Sequence, residues 1–163
     1  MPHLVPRMDE LESDAWLRLI GLTELLPASL DAQLQQDAHL THFEFQVLSL
    51  LRFADEQTLQ SKDLAAGTNA TLPRLSHVVA RLEGRGLVVK LPCPTDKRAT
   101  NVQLTEEGRR TVIRATSGHI EHARRLVIDR LDRAELASLA SIAAKIGQAL
   151  DPTDRLGKQL RGA

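Results

Sequence analysis

The sequence contains very few cysteine and aromatic residues. Cys93 is the single cysteine, so no internal disulfide can form, and tyrosine is absent. No apolar run approaches the roughly 20 residues that a membrane-spanning helix requires. The segment 1–14 has neither the apolar stretch nor the small-residue cleavage site of an export signal. We therefore expect a cytoplasmic protein without a membrane partner.

The sequence also lacks the motifs that catalysis requires. G-x-S-x-G, H-E-x-x-H and the phosphate-binding loop are absent, and Cys93 lacks the second cysteine of a zinc deaminase signature. We expect a protein that is not an enzyme and has no cofactor.

Two histidine pairs and the single cysteine leave sensing roles open. His39 with His42, and His119 with His122, have spacings that suit metal ligands, although surface or interface histidines are the commoner outcome. Basic neighbours favour the thiolate of Cys93, but no second cysteine is present to resolve a sulfenic acid. We expect no metal site, and the sequence leaves metal or redox sensing by these residues open.

The charges are unevenly distributed although they sum to zero. Residues 1–60 contain 3 basic and 10 acidic side chains, whereas residues 61–125 contain 12 basic and 6 acidic ones. The remainder contains 6 basic and 5 acidic side chains. A basic middle segment is typical of a local anion-binding surface, and it equally fits solvated charge without a partner.

Helical periodicity predicts a mainly α fold. The first helix, over 9–35, contains Pro27, which should kink it or split it in two. Thr41 and Glu44 form a capping box at the start of the second helix. The core face of the second helix is predicted to consist of Phe45, Leu48, Leu51 and Phe53.

Capping residues predict four more helices, and a small β-hairpin lies between them. The polar segment 57–60 suits a very short strand, and the hairpin strands are expected over 87–91 and 100–104. The last helix should present one apolar stripe, and the tail 151–163 is polar. The predicted caps are Ser61 (short helix), Thr71 (helix ended by Gly86), Thr105 (helix to about Leu131) and Asp132 (helix to Leu150).

Residues 61–86 have the layout of a helix-turn-helix, whose second helix enters the major groove of DNA. One face of that helix is aliphatic, and the other is small, cationic and rich in hydrogen-bond donors. That pattern also fits the solvated face of a core helix. The candidate DNA-contacting residues on this face are Pro73, Arg74, Ser76, His77 and Arg81.

The hairpin after this helix favours DNA binding over a merely solvated helix. In a winged helix such a loop lies over the minor groove, whose negative potential attracts an inserted arginine. Arg98 is the candidate for insertion, Asp96 can brace its guanidinium, and Lys97 can contact a phosphate. Pro92 and Pro94 stiffen the loop and reduce the cost of ordering it.

Three segments carry a family resemblance: "LTHFEFQVLSLL", "LAAGTNATLPRLSHVVARLEGRGLV" and "PCPTDKRATNVQLTEEG". The third contains D-x-R, an apolar strand and then L-T-x-x-G. On these segments, residues 41–108 resemble the MarR family of winged-helix transcriptional regulators. Outside them the resemblance depends on the order of the helices.

The resemblance implies roles for individual residues. Asp96 and Arg98 are the wing pair. His77 differs from the Arg or Thr found nearby in relatives, which leaves its base preference open. The positions at which relatives contact DNA are occupied by Thr71, Arg74, Ser76 and His77.

The resemblance also implies an obligate homodimer in which the first helix and the last two intertwine. The sequence agrees, because a winged helix needs only roughly 70–90 residues and apolar-striped helices flank it here. Relatives bind small aromatic or lipophilic effectors between the dimerisation helices and the winged helix. Trp16 and His42 are candidates to line such a crevice, although we favour packing of Trp16 in the dimer interface.

These patterns together predict a winged helix-turn-helix with a helical dimerisation region. The predicted function is a homodimeric regulator, a ligand-relieved repressor that binds a pseudo-palindromic operator in double-stranded DNA. The alternative is a winged-helix protein-interaction module without specific DNA binding. The expected segments are 1–40 (dimerisation), 41–108 (DNA binding, with the helix-turn-helix at 61–86 and the wing at 87–104), 105–150 (dimerisation) and 151–163 (tail).

Overall fold

The computed structural model describes residues 5–93 and 99–153. Within these residues the chain is mainly helical and contains one small antiparallel sheet, as predicted. Single 3-10 turns at Asp55–Gln57 and Ile128–Arg130 join neighbouring elements. The elements are α1 (Glu10–Ala38), α2 (His42–Phe53), β1 (Thr58–Gln60), α3 (Ser61–Gly67), α4 (Leu72–Gly84), β2 (Val88–Pro92), β3 (Thr100–Leu104), α5 (Glu106–Leu126) and α6 (Arg133–Leu150).

Side-chain caps begin four of the helices where the sequence predicted them. Thr41 and Asp132 form capping boxes, and the hydroxyls of Thr71 and Thr105 accept backbone N–H groups of the first turns of α4 and α5. The prediction for Ser61 was wrong. Gln60 precedes α3, and the Ser61 hydroxyl instead donates to the carbonyl oxygen of Thr100 at 3.0 Å, which ties α3 to the sheet.

Two long helices differ from prediction in their extent. Pro27 does not split α1, which is one helix of 29 residues. α5 ends at Leu126 instead of near Leu131, because Val127 leaves helical geometry and a 3-10 turn follows. This turn separates α5 from α6.

The sheet has the order β1-β3-β2, and both pairings are antiparallel. Val88 pairs with Leu104 and Pro92 with Thr100, so the β2–β3 hairpin extends away from its base beside α5. Gly86 has a φ of 71° after α4, a conformation that favours glycine and turns the chain into β2.

The hydrophobic core lies between α2, α3, α4, the sheet, the first half of α5 and the C-terminal part of α1. Phe53 was predicted for this core but is 50% exposed at the end of α2, where the guanidinium of Arg52 lies over its ring. The fully buried aliphatic residues include Leu34, Leu48, Leu51, Leu64, Leu82, Val88 and Val112.

The apolar stripes of the flanking helices remain on the surface of the single chain. Only Ser13 and Leu34 are buried in α1, and no residue of α6 is buried. No helix within the described residues is both long and apolar enough to cross a membrane. The division into DNA-binding and dimerisation segments stays a prediction.

Candidate nucleic-acid interface

α4 has one buried face and one exposed face, as its sequence predicted. The buried residues are Leu75, Val78, Val79 and Leu82. Packing of these four side chains against the core turns the remaining polar face outward. The exposed residues on that face include the candidate DNA contacts Pro73, Arg74, Ser76, His77 and Arg81.

The first turn of α4 is ordered by local hydrogen bonds. The Thr71 hydroxyl accepts the N–H of Arg74 at 3.4 Å, so this candidate DNA contact also caps the helix. The Nδ1–H of His77 donates to the carbonyl oxygen of Pro73 at 2.9 Å. A carbonyl can only accept, so Nδ1 carries the hydrogen of this bond, and Nε2 is the ring nitrogen left to face a base edge in the major groove.

Two residues of α2 hold the two arginines of this face. The guanidinium carbon of Arg74 lies 4.4 Å from the centre of the Phe43 ring, a cation–π contact. Nε of Arg81 lies 2.8 Å from Oε1 of Glu44. The side chain of Glu44 is 3% exposed, whereas that of Arg81 is 56% exposed. Arg81 therefore has a partner within the chain, and its contact with DNA stays a prediction.

The acid of α4 is paired with a basic residue of the wing. Nζ of Lys90 on β2 lies 2.9 Å from Oε2 of Glu83, and the Lys90 N–H donates to Oε1 of the same carboxylate at 3.1 Å. The side-chain hydrogen bond from Lys90 is the largest cause of a lowered pKa at Glu83. This pairing reduces the repulsion that Glu83 would exert on DNA phosphates.

A groove of about 490 Å³ separates α4 from the sheet. Lys62 of α3, Ser76 of α4 and Lys90 of β2 are among the residues that line it. Lys62 and the Ser76 hydroxyl can bind phosphate oxygens, whereas the ammonium group of Lys90 is held by Glu83, so the groove extends the cationic surface from α4 towards the wing through Lys62.

The base of the wing is described, and its tip is not. Cys93 N–H donates to the carbonyl oxygen of Ala99 at 3.2 Å, which joins the two sides of the hairpin. Asp96, Lys97 and Arg98 lie between these residues, outside the described part of the chain, so their roles stay predictions.

The comparisons with known proteins agree with this geometry. The MarR family model matches residues 40–100. The fold also matches Sco3205 of Streptomyces coelicolor, a MarR family transcriptional regulator whose structure was solved in complex with DNA, with a TM-score of 0.84. The two chains are 36% identical, and the match covers 88% of this chain and 93% of Sco3205. This chain belongs to the MarR family.

Two further relatives extend the comparison. FarR of Neisseria gonorrhoeae, an HTH-type transcriptional regulator, is 37% identical to this chain over 71 residues. That match covers 44% of this chain and about half of FarR, 47% of its length. NadR, solved in complex with 4-hydroxyphenylacetate, is 26% identical with a TM-score of 0.65, and the match covers 91% of this chain and 99% of NadR.

The two candidate effector residues of this MarR family chain do not lie together. Trp16 borders a groove of about 550 Å³ between α1 and α6, with Leu19, Ile142 and Ile146 among its neighbours. The His42 N–H donates to Oδ1 of Asp31, 15 residues farther along α1, at 2.8 Å. At 1.5 Å per helical residue, the two sites are about 22 Å apart along α1. Trp16 and His42 therefore do not line one crevice within a single chain.

The histidines form a small cluster where α1, α2 and α5 meet. The ring centres of His42 and His119 are 5.8 Å apart, and His122 hydrogen-bonds to Ser29 at 3.0 Å. Burial is the main cause of lowered pKa values at His42 and His119, and the charge of nearby histidines adds to the effect at His119. His39 belongs instead to the C-terminal cap of α1.

Metal binding by the histidines and redox sensing by Cys93 are the alternative roles of these residues. Among residues 5–93 and 99–153, no group of three or more His, Cys, Asp or Glu is arranged to hold a metal ion. The thiol of Cys93 is 5% exposed and accepts a hydrogen bond from Nε2 of Gln60 at 3.4 Å. This burial disfavours a redox-sensing role, because sensor cysteines are solvent-accessible.

Two parts of the candidate interface were not predicted from the sequence. Lys62 and Lys90 were not selected, since their shared groove depends on tertiary packing. Glu44 was recognised as a capping residue but not as the partner of Arg81. A signal for that role was present, because Glu44 falls on the same helical face as the buried Val47, Leu48 and Leu51.

Proposed function

We propose that the chain is a cytoplasmic, homodimeric regulator that binds a pseudo-palindromic operator and represses transcription. The observation that carries this proposal is the exposed face of α4, which is basic and lies beside the wing. The fold is shared with Sco3205, which was solved in complex with DNA. Two such faces, held by a twofold axis, would enter successive major grooves about one helical turn apart.

The apolar surface of α1 and α6 supports a homodimer. Leu25 is 71% exposed and Ile142 is 56% exposed, and both belong to long helices outside the winged-helix core. Exposed stripes of this length are typical of an interface that a second copy covers. Trp16 borders the same groove as Ile142, which agrees with the interpretation that it packs in the interface.

We further propose that a small aromatic or lipophilic ligand relieves repression. NadR, bound to 4-hydroxyphenylacetate, supplies the example. The junction of α1, α2 and α5 beside His42 and His119 is the place where a ligand could alter the spacing of the two α4 helices. The ligand would act only through its different affinities for the binding and non-binding spacings.

The first experiment is selection of bound duplexes from a random DNA pool, followed by titration of the selected duplex at several salt concentrations. A DNA-binding regulator should select a two-half-site consensus, and its affinity should fall steeply from low to physiological salt as counterions are released. The alternative, a protein-interaction module, predicts no consensus. Failure to bind any duplex at any ionic strength would contradict the proposal.

The second experiment tests the wing. Arg98→Ala should weaken operator binding by about 1–3 kcal/mol with the fold intact, because it removes the side chain proposed for the minor groove. Arg18→Ala is the matched control, since this arginine forms an exposed ion pair with Asp14 on α1. Equal affinities of the two variants in a gel-shift titration would remove Arg98 from the interface.

A further inference from the structure

The N-terminal turn of α2 holds α4 at two separate points. Phe43 lies under the guanidinium of Arg74, and the neighbouring Glu44 binds Arg81. Arg74 and Arg81 are two helical turns apart on α4, about 10 Å along its axis. Two contacts at that separation restrain both the rotation of α4 about its axis and its tilt across the core.

Glu44 has the environment of a fixed anchor. Its Oε2 accepts the N–H and the hydroxyl of Thr41 at 2.7 and 3.1 Å. Its Oε1 faces Arg81 at 2.8 Å and Arg85 at 3.7 Å. Both oxygens of this buried carboxylate are therefore engaged, and the carboxylate cannot follow an arginine that moves away.

The anchor is itself attached to the dimerisation helix. The N–H of His42, one residue before Phe43, donates to Oδ1 of Asp31 on α1 at 2.8 Å. The turn His42–Phe43–Glu44 therefore joins α1 to α4 through one hydrogen bond on one side and two arginine contacts on the other. The direction of α4 is thereby defined relative to the helix that sets the predicted dimer.

We propose that Phe43 and Glu44 are positioning residues for DNA recognition: they set the direction of α4 and keep Arg81 and Arg85 away from phosphates. For Arg81 this proposal replaces the sequence prediction of a DNA contact. This inference rests on the proposed DNA-binding function. Arginines held by a buried carboxylate contribute little to sequence-independent attraction, whereas released arginines would bind any phosphate within reach. Sequence discrimination thus depends on two side chains that do not contact DNA.

The test is Glu44→Gln in the full-length protein. Glutamine keeps the shape and the capping bond to Thr41 but removes the charge that holds Arg81. Fluorescence anisotropy should show an affinity ratio between the selected operator and a scrambled duplex that is about tenfold lower, comparable to the loss of one base contact. The salt dependence on scrambled duplex should become steeper, by about 0.9 in the log–log slope for each phosphate that a released arginine reaches.

Glu56→Gln is the matched control, because it removes the same charge from an exposed side chain after α2. If Glu44→Gln and Glu56→Gln show the same affinity ratio and salt slope, the inference is wrong. If the wild-type chain binds no duplex, the proposed function fails first, so the two failures are distinguishable.

Phe43→Leu keeps the inference testable if Glu44→Gln does not fold. It removes the ring beneath Arg74 and leaves the carboxylate in place. The affinity ratio should again fall while the unfolding temperature of the variant stays close to that of the wild type. An unchanged ratio in folded Phe43→Leu would overturn the role of this contact.

Discussion

The winged-helix region and the flanking helices contain the same kinds of apolar residues, but these side chains are buried in the first and exposed in the second. Leu48 of α2 and Leu82 of α4 are fully buried, whereas Leu25 of α1 is 71% exposed and Ile142 of α6 is 56% exposed. Complete burial of one such side chain is worth about 1.5–3 kcal/mol. Burial of apolar side chains therefore stabilises the winged-helix region within one chain, whereas the exposed side chains of the flanking helices do not contribute this free energy.

This difference shows that an apolar stripe does not by itself identify a core. In α2 and α4 the stripes meet each other, the sheet and α5, so the fold of this region is determined by one chain. Within the part of the chain that the structure describes, Ile142 and Ile146 of the α6 stripe border the groove beside Trp16, and no residue of α6 is buried. We therefore expect variants of the two regions to separate association from folding.

The largest effect on DNA binding should come from disrupting the exposed apolar stripe of α6. Ile142→Asp places a charge in the apolar stripe of α6, so it should yield a monomer whose winged helix remains folded. Loss of the second half-site contact should weaken binding to a two-half-site duplex by roughly 10²–10⁴-fold. Analytical ultracentrifugation measures the association of the chains, circular dichroism measures their folding, and fluorescence anisotropy measures DNA binding.

Ser141→Asp is the control for this variant, because Ser141 lies on the opposite side of α6 from the stripe. It introduces the same charge and should leave the dimer intact. A dimeric Ile142→Asp protein that binds the operator normally would show that the stripe is not the interface.

A smaller effect should come from breaking the winged-helix region at Gly108. A Cβ at this position would lie 2.0 Å from the carbonyl oxygen of Leu87 and 2.8 Å from a methyl group of Leu104. Gly108→Ala should reduce the free energy of unfolding by about 3 kcal/mol, because a backbone oxygen must move. Urea unfolding measures the loss, and association per folded chain should stay unchanged.

Gly84→Ala is the control for Gly108→Ala, since a Cβ at Gly84 meets nothing within 4 Å. Alanine is the better helix former, so this variant should be more stable by about 0.4–1 kcal/mol. If the two variants had similar stabilities, the close approach of α5 to Leu87 would not be a real constraint.

Features that depend on neighbouring residues could be predicted from the sequence, whereas features that depend on distant residues could not. The caps at Thr41, Thr71 and Thr105 were correct because a cap depends on neighbouring residues in the chain. The cap predicted at Ser61 was wrong because the Ser61 hydroxyl donates a hydrogen bond to the carbonyl oxygen of Thr100, which is distant in sequence. The end of α5 at Leu126 was missed because no Gly or Pro marks it.

The features of the candidate interface also divide into those set by local sequence and those set by tertiary packing. The exposed face of α4 followed from its periodicity, since the buried and exposed positions of one helix are set by its own sequence. The contacts of Arg74 with Phe43 and of Arg81 with Glu44 join residues 31 and 37 positions apart. Such pairs depend on how α2 and α4 pack, which periodicity does not define.

The smallest predicted effect concerns the histidine cluster at the junction of the two regions. His42 and His119 face each other, with Asp31 of α1 near the first and His122 near the second. Burial lowers the pKa of both below the value of about 6.5 that an unfolded chain has. The unfolded state therefore binds more protons than the folded state between the two pKa values. Folding stability should thus be complete above pH 6.5 and decline as the pH falls towards the lowered pKa values.

Thermal unfolding between pH 8 and pH 5 measures this dependence. The double variant His42→Asn, His119→Gln should have a flatter profile than the wild type, because neither replacement titrates. His77→Gln is the control, since it removes an exposed histidine of α4 that lies outside the cluster. The effect should be modest, because both cluster histidines are only half-buried and solvent reduces the cost of charging them. If the double variant and His77→Gln followed the same curve, protonation at this junction would play no part in holding the winged helix against α1 and α5.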